Sequence, residues 1–225
     1  MKTRRLVSGL LGSALALCIG VVTLSLLLSG CGTSAPLMES MLRRHAPPET
    51  TGLPEDDYAP VAEMIADYLA GGRSEFSYTV HTEGGEREAF NARERQHMAD
   101  CLSLFRLART VLLAGTALTG LVCVALLLRR DRRGAAFGCM LGSVALLALM
   151  AAAACWAALD FDGAFILFHR LSFSNELWMM NPATDLLIRL MPLSFFMQYA
   201  AIIGALLVLA LLVTAIVSLA IWRGR

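Results

Sequence analysis

The sequence predicts an all-α polytopic membrane protein: four transmembrane helices, a small α+β outer cap, and an amphipathic interfacial segment between spans three and four. Three observations predict it. Four runs without a single charge cover residues 6–29, 110–128, 135–159 and 193–222, and about 20 apolar residues suffice to cross a hydrocarbon core. Only 16% of the chain is charged while 57% is hydrophobic, whereas a soluble domain carries about 25% charge. The basic residues also gather where four spans would place them on one side. In lipid every backbone N–H must be paired internally, so runs this long are helices.

The elements follow in order. Residues 1–5 read as a cytoplasmic N-terminus, 6–30 as span one, 31–103 as an extracytoplasmic cap and 104–128 as span two. Residues 129–134 form a cytoplasmic turn, 135–159 span three, 160–192 an outer-leaflet interfacial segment, 193–222 span four and 223–225 a cytoplasmic end. Lys2, Arg4, Arg5, Arg129, Arg130, Arg132, Arg133, Arg223 and Arg225 fall on the inner side with one acid, Asp131, leaving ten arginines and seventeen acids elsewhere. By the positive-inside rule that side is the cytoplasm, and the short Arg-rich turn carries the argument.

Span one has a rival reading. Leu28-Ser29-Gly30-Cys31 resembles a lipobox, which would make residues 1–30 a cleaved signal. Signal h-regions run about 7–15 residues, and this run has 24; the span is the better reading. Cys18, Cys123, Cys139 and Cys155 lie inside spans as small apolar fillers. Cys31 and Cys101 both fall at outer ends of spans, where pairing and non-pairing are equally open. No CxxC or HExxH spacing suggests a metal, and no cofactor or nucleic-acid signal is present.

Within the cap, residues 33–57 hold four of the seven prolines and read as an extended connection. Residues 58–70 place Val61, Met64, Ile65, Tyr68 and Leu69 at helical spacing, stopped by Gly71-Gly72. Residues 76–90 alternate around Glu83-Gly84-Gly85 and read as a hairpin. Asn91 with Glu94 makes a capping box, so a helix starts there and runs into span two. It brings Glu94, His97, Met98, Cys101 and Phe105 to one face. In the interfacial segment, Asn181-Pro182 with Asp185 marks a helix start that Met191-Pro192 ends. Leu186, Leu187, Leu190 and Met191 then form an apolar face suited to lying in the interface.

Four histidines offer chemistry. His45 and His81 read as surface residues. His97 and His169 each lie where the outer surface meets lipid, among polar groups with no evident packing role, and ionisable groups at that depth point to function. An interfacial anchor whose ring tip stays wet accounts for either as well as chemistry does. Imidazole exchanges a proton near neutral pH. No GxSxG, Walker loop or DxDxDG competes, so the reactions that fit move a proton while the substrate supplies nucleophile and leaving group.

Two stretches resemble a known family. FNARERQHMADC (residues 90–101) and AFILFHRLSFSNELWMMNPATDLLIRLMPLSFF (residues 164–196) are similar to the two signature blocks of the lipoprotein intramolecular transacylases, bacterial four-span proteins. The first matches "FNxRExxHMxDV" with Cys101 at the final hydrophobic position. The second matches "FHxxFFxNDxWxxxPxTDxLIxxxP" with Ser172 or Phe173 near the aromatic pair and Glu176 where the pattern has Asp. The resemblance covers the whole order of spans, cap and blocks. It implies an enzyme of the bacterial cytoplasmic membrane, both termini inside, acting at the outer leaflet on diacylglyceryl lipoproteins. The sn-2 acyl chain passes to the α-amine of the N-terminal cysteine, leaving a lyso-form lipoprotein, with membrane lipid as the only other partner and no cofactor.

Carried over residue by residue, His97 and His169 match the family's two histidines, one as general base and the other as oxyanion partner or general acid. Glu94 and Asp100 are candidates to orient His97, though capping and solvation explain them equally. Asn175 is a candidate to orient His169 or to donate to the oxyanion. Trp178 reads equally as an interface anchor and Asp185 as a helix-start residue. The other class left open is a non-enzymatic sensor or assembly factor whose cap binds a partner.

Overall fold

The computed structural model describes residues 2–82 and 85–224. The element order is α1 (Lys2–Gly32), α2 (Ala35–His45), α3 (Pro48–Thr51), a 3-10 turn (Glu55–Asp57), α4 (Tyr58–Ala70), β1 (Thr79–Thr82), β2 (Gly85–Glu88), α5 (Ala92–Arg129), α6 (Arg132–Leu159), α7 (Phe161–Ser172), α8 (Leu186–Leu190) and α9 (Leu193–Arg223). Helices α1, α5, α6 and α9 are long and apolar enough to cross a membrane. The protein is therefore a helical polytopic membrane protein with one small two-stranded sheet among the described residues.

The chain divides into two compact units. The first comprises residues 1–27, 108–159 and 202–225. Here α1 and α6 touch along glycines, because side chains this small let backbones approach closely where lipid tails give no hydrophobic drive. A methyl group added at Gly138 would sit 1.9 Å from the Gly9 carbonyl oxygen, and one at Gly12 would sit 2.0 Å from that of Ala135. Ser13 Oγ donates to the Gly138 carbonyl at 2.9 Å in the same seam. Leucines on the far faces of these helices stay exposed, as lipid-facing surface does.

The second unit comprises residues 28–107 and 160–201. Its core is polypeptide rather than lipid. Met38, Met41 and Leu42 of α2 pack against Tyr58, Val61, Ala62 and Ile65 of α4, all but fully buried. Tyr68, Phe76 and Phe90 pack in series, the first pair edge to face and the second tilted, with ring centroids 5.3 and 4.7 Å apart. Gly71 ends α4 at φ 79°, a left-handed position that suits glycine.

The expected extended connection over residues 33–57 is mostly helix. Pro36 supplies a pre-set φ at the start of α2, Pro48 does so for α3, and the Met38, Met41, Leu42 spacing gives α2 a buried face. Prolines here start helices rather than prevent them. The hairpin forms antiparallel with Thr79 opposite Glu88 and Thr82 opposite Gly85; Glu83 and Gly84 of its expected turn lie outside the described residues.

One open alternative closes, and the interfacial segment differs from the expectation. All six cysteines are free, and Cys101 faces His97 rather than Cys31. The helix expected from Asn181 begins only at Leu186, because Asn181 spends its carbonyl and side chain on a turn closed by Ala183, Thr184 and Asp185 N–H groups. The apolar face of α8 is turned into the protein, with Leu186, Leu187 and Leu190 buried. The exposed apolar face of this segment belongs instead to α7, at Leu167, Phe168 and Leu171.

Candidate active site

α5 has 38 residues and so runs about 57 Å, nearly twice a hydrocarbon core. Its uncharged stretch is residues 110–128, whereas the first half carries Arg93, Glu94, Arg95, Asp100, Arg106 and Arg109. His97 stands on that first half. His169 stands near the end of α7, a helix begun by Asp160, whose carboxylate accepts from Gly163 N at 2.8 Å. The two imidazoles meet: their centroids are 6.2 Å apart at an interplanar angle of 27°. Both residues are buried, at 8% and 7% exposure.

Aromatic rings enclose the pair. Phe173 lies 5.1 Å from the His97 ring and 5.5 Å from that of His169. Phe165 and Trp178 flank His169 at 4.1 and 4.9 Å. Burial among these rings disfavours the imidazolium. It lowers His97 to about 4, helped by His169 and opposed by Asp100. Burial likewise lowers His169, against the pull of its bond to Phe165. Both rings are neutral at pH 7.

Their nitrogens differ. His169 Nδ1 donates to the Phe165 carbonyl, one helical turn back, at 2.8 Å. A carbonyl only accepts, so the proton of neutral His169 is on Nδ1 and Nε2 holds a lone pair. That Nε2 makes no hydrogen bond among the described residues. His97 is the reverse in position: Nε2 lies 3.5 Å from Cys101 Sγ, and Nδ1 is buried without a hydrogen-bond partner.

The surrounding polar residues build the frame. Glu94, 1% exposed, accepts from Asn91 N at 2.7 Å and from Leu187 N at 2.6 Å. The Asn91 side-chain oxygen accepts from Glu94 N at 3.1 Å, closing the expected capping box, and its Nδ2 donates to Asp185 at 2.8 Å. Asp185 also accepts from Asn181 N and the Thr184 hydroxyl. Asp100 accepts from Asn175 Nδ2 at 2.9 Å, and the Asn175 side-chain oxygen accepts from Leu177 N. Trp178 Nε1 donates to the Asn175 carbonyl. Thus Glu94, Asp100, Asn175 and Asp185 reach neither imidazole by a hydrogen bond; they fasten the loop 173–187 to α5. Trp178 is the one supporting residue that packs on a histidine.

Sequence reasoning missed three contributors. Arg93 clamps the loop through the Glu176 and Leu177 carbonyls at 2.7 and 3.2 Å. Phe165 supplies a main-chain oxygen, and Phe173 a ring packed against both histidines. Phe165 and Phe173 had a signal, their spacing of four residues before and after His169. His45 is half-buried at the surface and bonds Ser194 at 3.1 Å and Gln198 at 2.6 Å. His81 does stay exposed, beside Glu86. Two clefts of about 350 and 560 Å³, one lined by Arg87, Arg95 and Arg189 and the other by Glu75, Arg95 and Gln96, contain neither histidine. Both clefts are lined largely by charged and polar side chains. No group of three or more metal-ligating side chains occurs among the described residues.

Four helices long and apolar enough to cross a membrane, with a buried histidine pair in the second unit, define a helical membrane-integral protein. The family model for lipoprotein intramolecular transacylase Lit matches residues 13–196, and the chain belongs to that family; it is a membrane transacylase. The solved structure of the membrane-integral lipoprotein intramolecular transacylase Lit from Bacillus cereus shares the fold, with a TM-score of 0.69 at 18% identity, covering 99% of this chain and 95% of that one. A histidine-to-arginine variant of the Bacillus cereus protein gives 0.68 at 18% identity, covering 98% and 92%. A histidine-to-alanine variant gives 0.65 at 19%, covering 99% and 93%. No curated protein matches the chain.

Proposed function

We propose that this enzyme moves the sn-2 acyl chain of a diacylglyceryl lipoprotein to the α-amine of its N-terminal cysteine, giving the lyso-form, with His97 and His169 as its acid–base pair. The observation that carries this reading is the pairing itself. Two buried neutral imidazoles face each other at 6.2 Å, each with one ring nitrogen unbonded among the described residues.

The chemistry asks for little else. Ester and amine sit in one substrate, so holding them together replaces a bimolecular encounter, worth up to about 7–11 kcal/mol in good geometry. His169 Nε2 takes the proton from the attacking amine, and the amine nitrogen bonds to the ester carbonyl carbon. The tetrahedral oxyanion meets the free Nδ1 side of His97. The C–O bond to the glyceryl sn-2 oxygen then breaks, and the His169 imidazolium returns its proton to that alkoxide. The Phe165 carbonyl steadies the imidazolium between the two steps, as it accepts from Nδ1 throughout. Amide replaces ester, the proton count is unchanged, and no activated donor is needed.

In this reading both termini and the turn 129–134 lie in the bacterial cytoplasm, and the histidine pair faces the outer leaflet. Arg129, Arg130, Arg132 and Arg133 support that orientation, and the exposed face of α7 at Leu167, Phe168 and Leu171 supports contact with acyl chains. The test is to replace His169 with Ala and inspect lipoprotein N-termini by mass spectrometry. Loss of the lyso-form is expected; an undiminished lyso-form overturns the reading.

A further inference from the structure

Among the described residues His97 has one hydrogen-bond partner and one unbonded ring nitrogen. Cys101, one helical turn on, places Sγ 3.5 Å from Nε2, while Nδ1 is buried with no partner. A neutral imidazole carries one proton, so the bond at Nε2 decides what Nδ1 can do. If Nε2–H donated to sulfur, Nδ1 would be a bare acceptor. If the thiol donates to Nε2, the proton sits on Nδ1 and that atom is a donor. The second arrangement is the stronger bond, because sulfur is a weak acceptor, imidazole nitrogen a good one, and a thiol proton more acidic than a ring N–H. The thiol also keeps its proton: burial, with Asp100 adding to it, pushes Cys101 up to about 12.

We propose that Cys101 is a positioning residue that donates S–H to His97 Nε2 and so fixes the ring proton on Nδ1, as the donor that meets the oxyanion. This rests on the transacylase reading of the histidine pair and adds to it a division of labour. His169 enters the reaction with a lone pair on Nε2, His97 with a proton on Nδ1, and each tautomer is set by a partner one turn along its own helix. Cys101 takes no acyl group, since its proton stays on sulfur.

The full-length chain, labelled with ¹⁵N-histidine and purified in detergent, tests this directly. The ¹⁵N shifts of His97, assigned by their loss in His97→Ala, are expected to show a protonated Nδ1 and an unprotonated Nε2. In Cys101→Val the His97 ring becomes a mixture of tautomers. Turnover of a diacylglyceryl lipopeptide falls about three- to tenfold, as for one lost hydrogen bond. The acid limb of its pH profile moves upward, because the S–H bond stabilises only the neutral ring. Cys101→Ser keeps a donor and restores most of the rate and the original profile. A protonated Nε2 in the unmodified chain overturns the proposal. So does a Cys101→Val enzyme unchanged in rate, profile and tautomer. The unmodified chain's tautomer needs no variant, so a misfolded Cys101→Val leaves the test intact. An unmodified chain that leaves the lipopeptide unchanged defeats the transacylase reading, while its tautomer still decides about Cys101.

Discussion

Glu94 binds the main chain of Leu187, 93 residues further on, through a 2.6 Å hydrogen bond while its other oxygen holds Asn91 N at 2.7 Å. One buried carboxylate thereby ties the start of α5 to the start of α8, and with them the helix bearing His97 to the loop that follows His169. Leaving both N–H groups buried and unmatched costs roughly 1–3 kcal/mol each. Glu94→Ala is therefore expected to lower thermal stability in detergent by about 2–6 kcal/mol and to cost activity through misplacement. Glu94→Gln, which keeps one carbonyl acceptor, should lose less. Equal stability of Glu94→Ala and the unmodified protein would contradict this role.

That bond also marks what the sequence could and could not show. The capping box of Asn91 and Glu94 is local, three residues apart, and was legible. The second half of the same carboxylate's work depends on a partner from the far end of the chain, which no spacing rule encodes. The four spans were legible because twenty uncharged residues have one low-energy state in lipid. His97 and His169 stood out as ionisable groups at membrane depth. The helices α2, α3 and α7 were not legible: prolines at helix starts look like breakers, and an apolar helix interrupted by Asp162, His169 and Arg170 looks like a loop.

The loop anchor at Asn175 predicts a rate effect without loss of either histidine. Asp100→Ala removes the acceptor that holds Asn175 at 2.9 Å, and with it the seat of Trp178, whose indole donates to the Asn175 carbonyl. Steady-state assays should show activity reduced about tenfold, the scale of one charge-assisted hydrogen bond. Activity equal to that of the unmodified enzyme would contradict the anchor.

Stability should fall in acid. His97 has a native value near 4 against an ordinary 6.5, and His169 is lowered too. Between pH 6.5 and about 4 the unfolded chain binds protons that the native one refuses, so stability drops as pH falls through that window. His169, Asp100 and Cys101 are the titratable groups named around His97, and Asp100 alone favours its protonation. For His97 the loss amounts to about 3 kcal/mol. Thermal melts of the unmodified protein and of His97→Phe over pH 7 to 4 check it: the variant should lose markedly less stability.

Close glycine contact between α1 and α6 carries its own prediction. A Cβ at Gly138 would overlap the Gly9 carbonyl at 1.9 Å, and main chain cannot yield as a side-chain tip does. Gly138→Leu should separate the two helices and reduce folded yield, by about 1–3 kcal/mol or more as overpacking does. Gly30→Ala, with nothing within 4 Å of its added methyl, should behave as the unmodified chain. Size-exclusion profiles in detergent compare them.

The central claim is that the buried pair of His97 and His169 transfers an acyl group within one substrate molecule. Such a transfer is an isomerisation, so the mass of the lipopeptide stays the same while the fragment ions change. The purified enzyme is given a synthetic diacylglyceryl lipopeptide with a deuterated sn-2 chain, mixed with an unlabelled one of different peptide sequence. Fragmentation should place the deuterated chain on the amine of its own peptide only, with His97→Ala and His169→Ala leaving it on the glycerol. Deuterated chain on the second peptide, or full transfer by either histidine variant, would contradict the account.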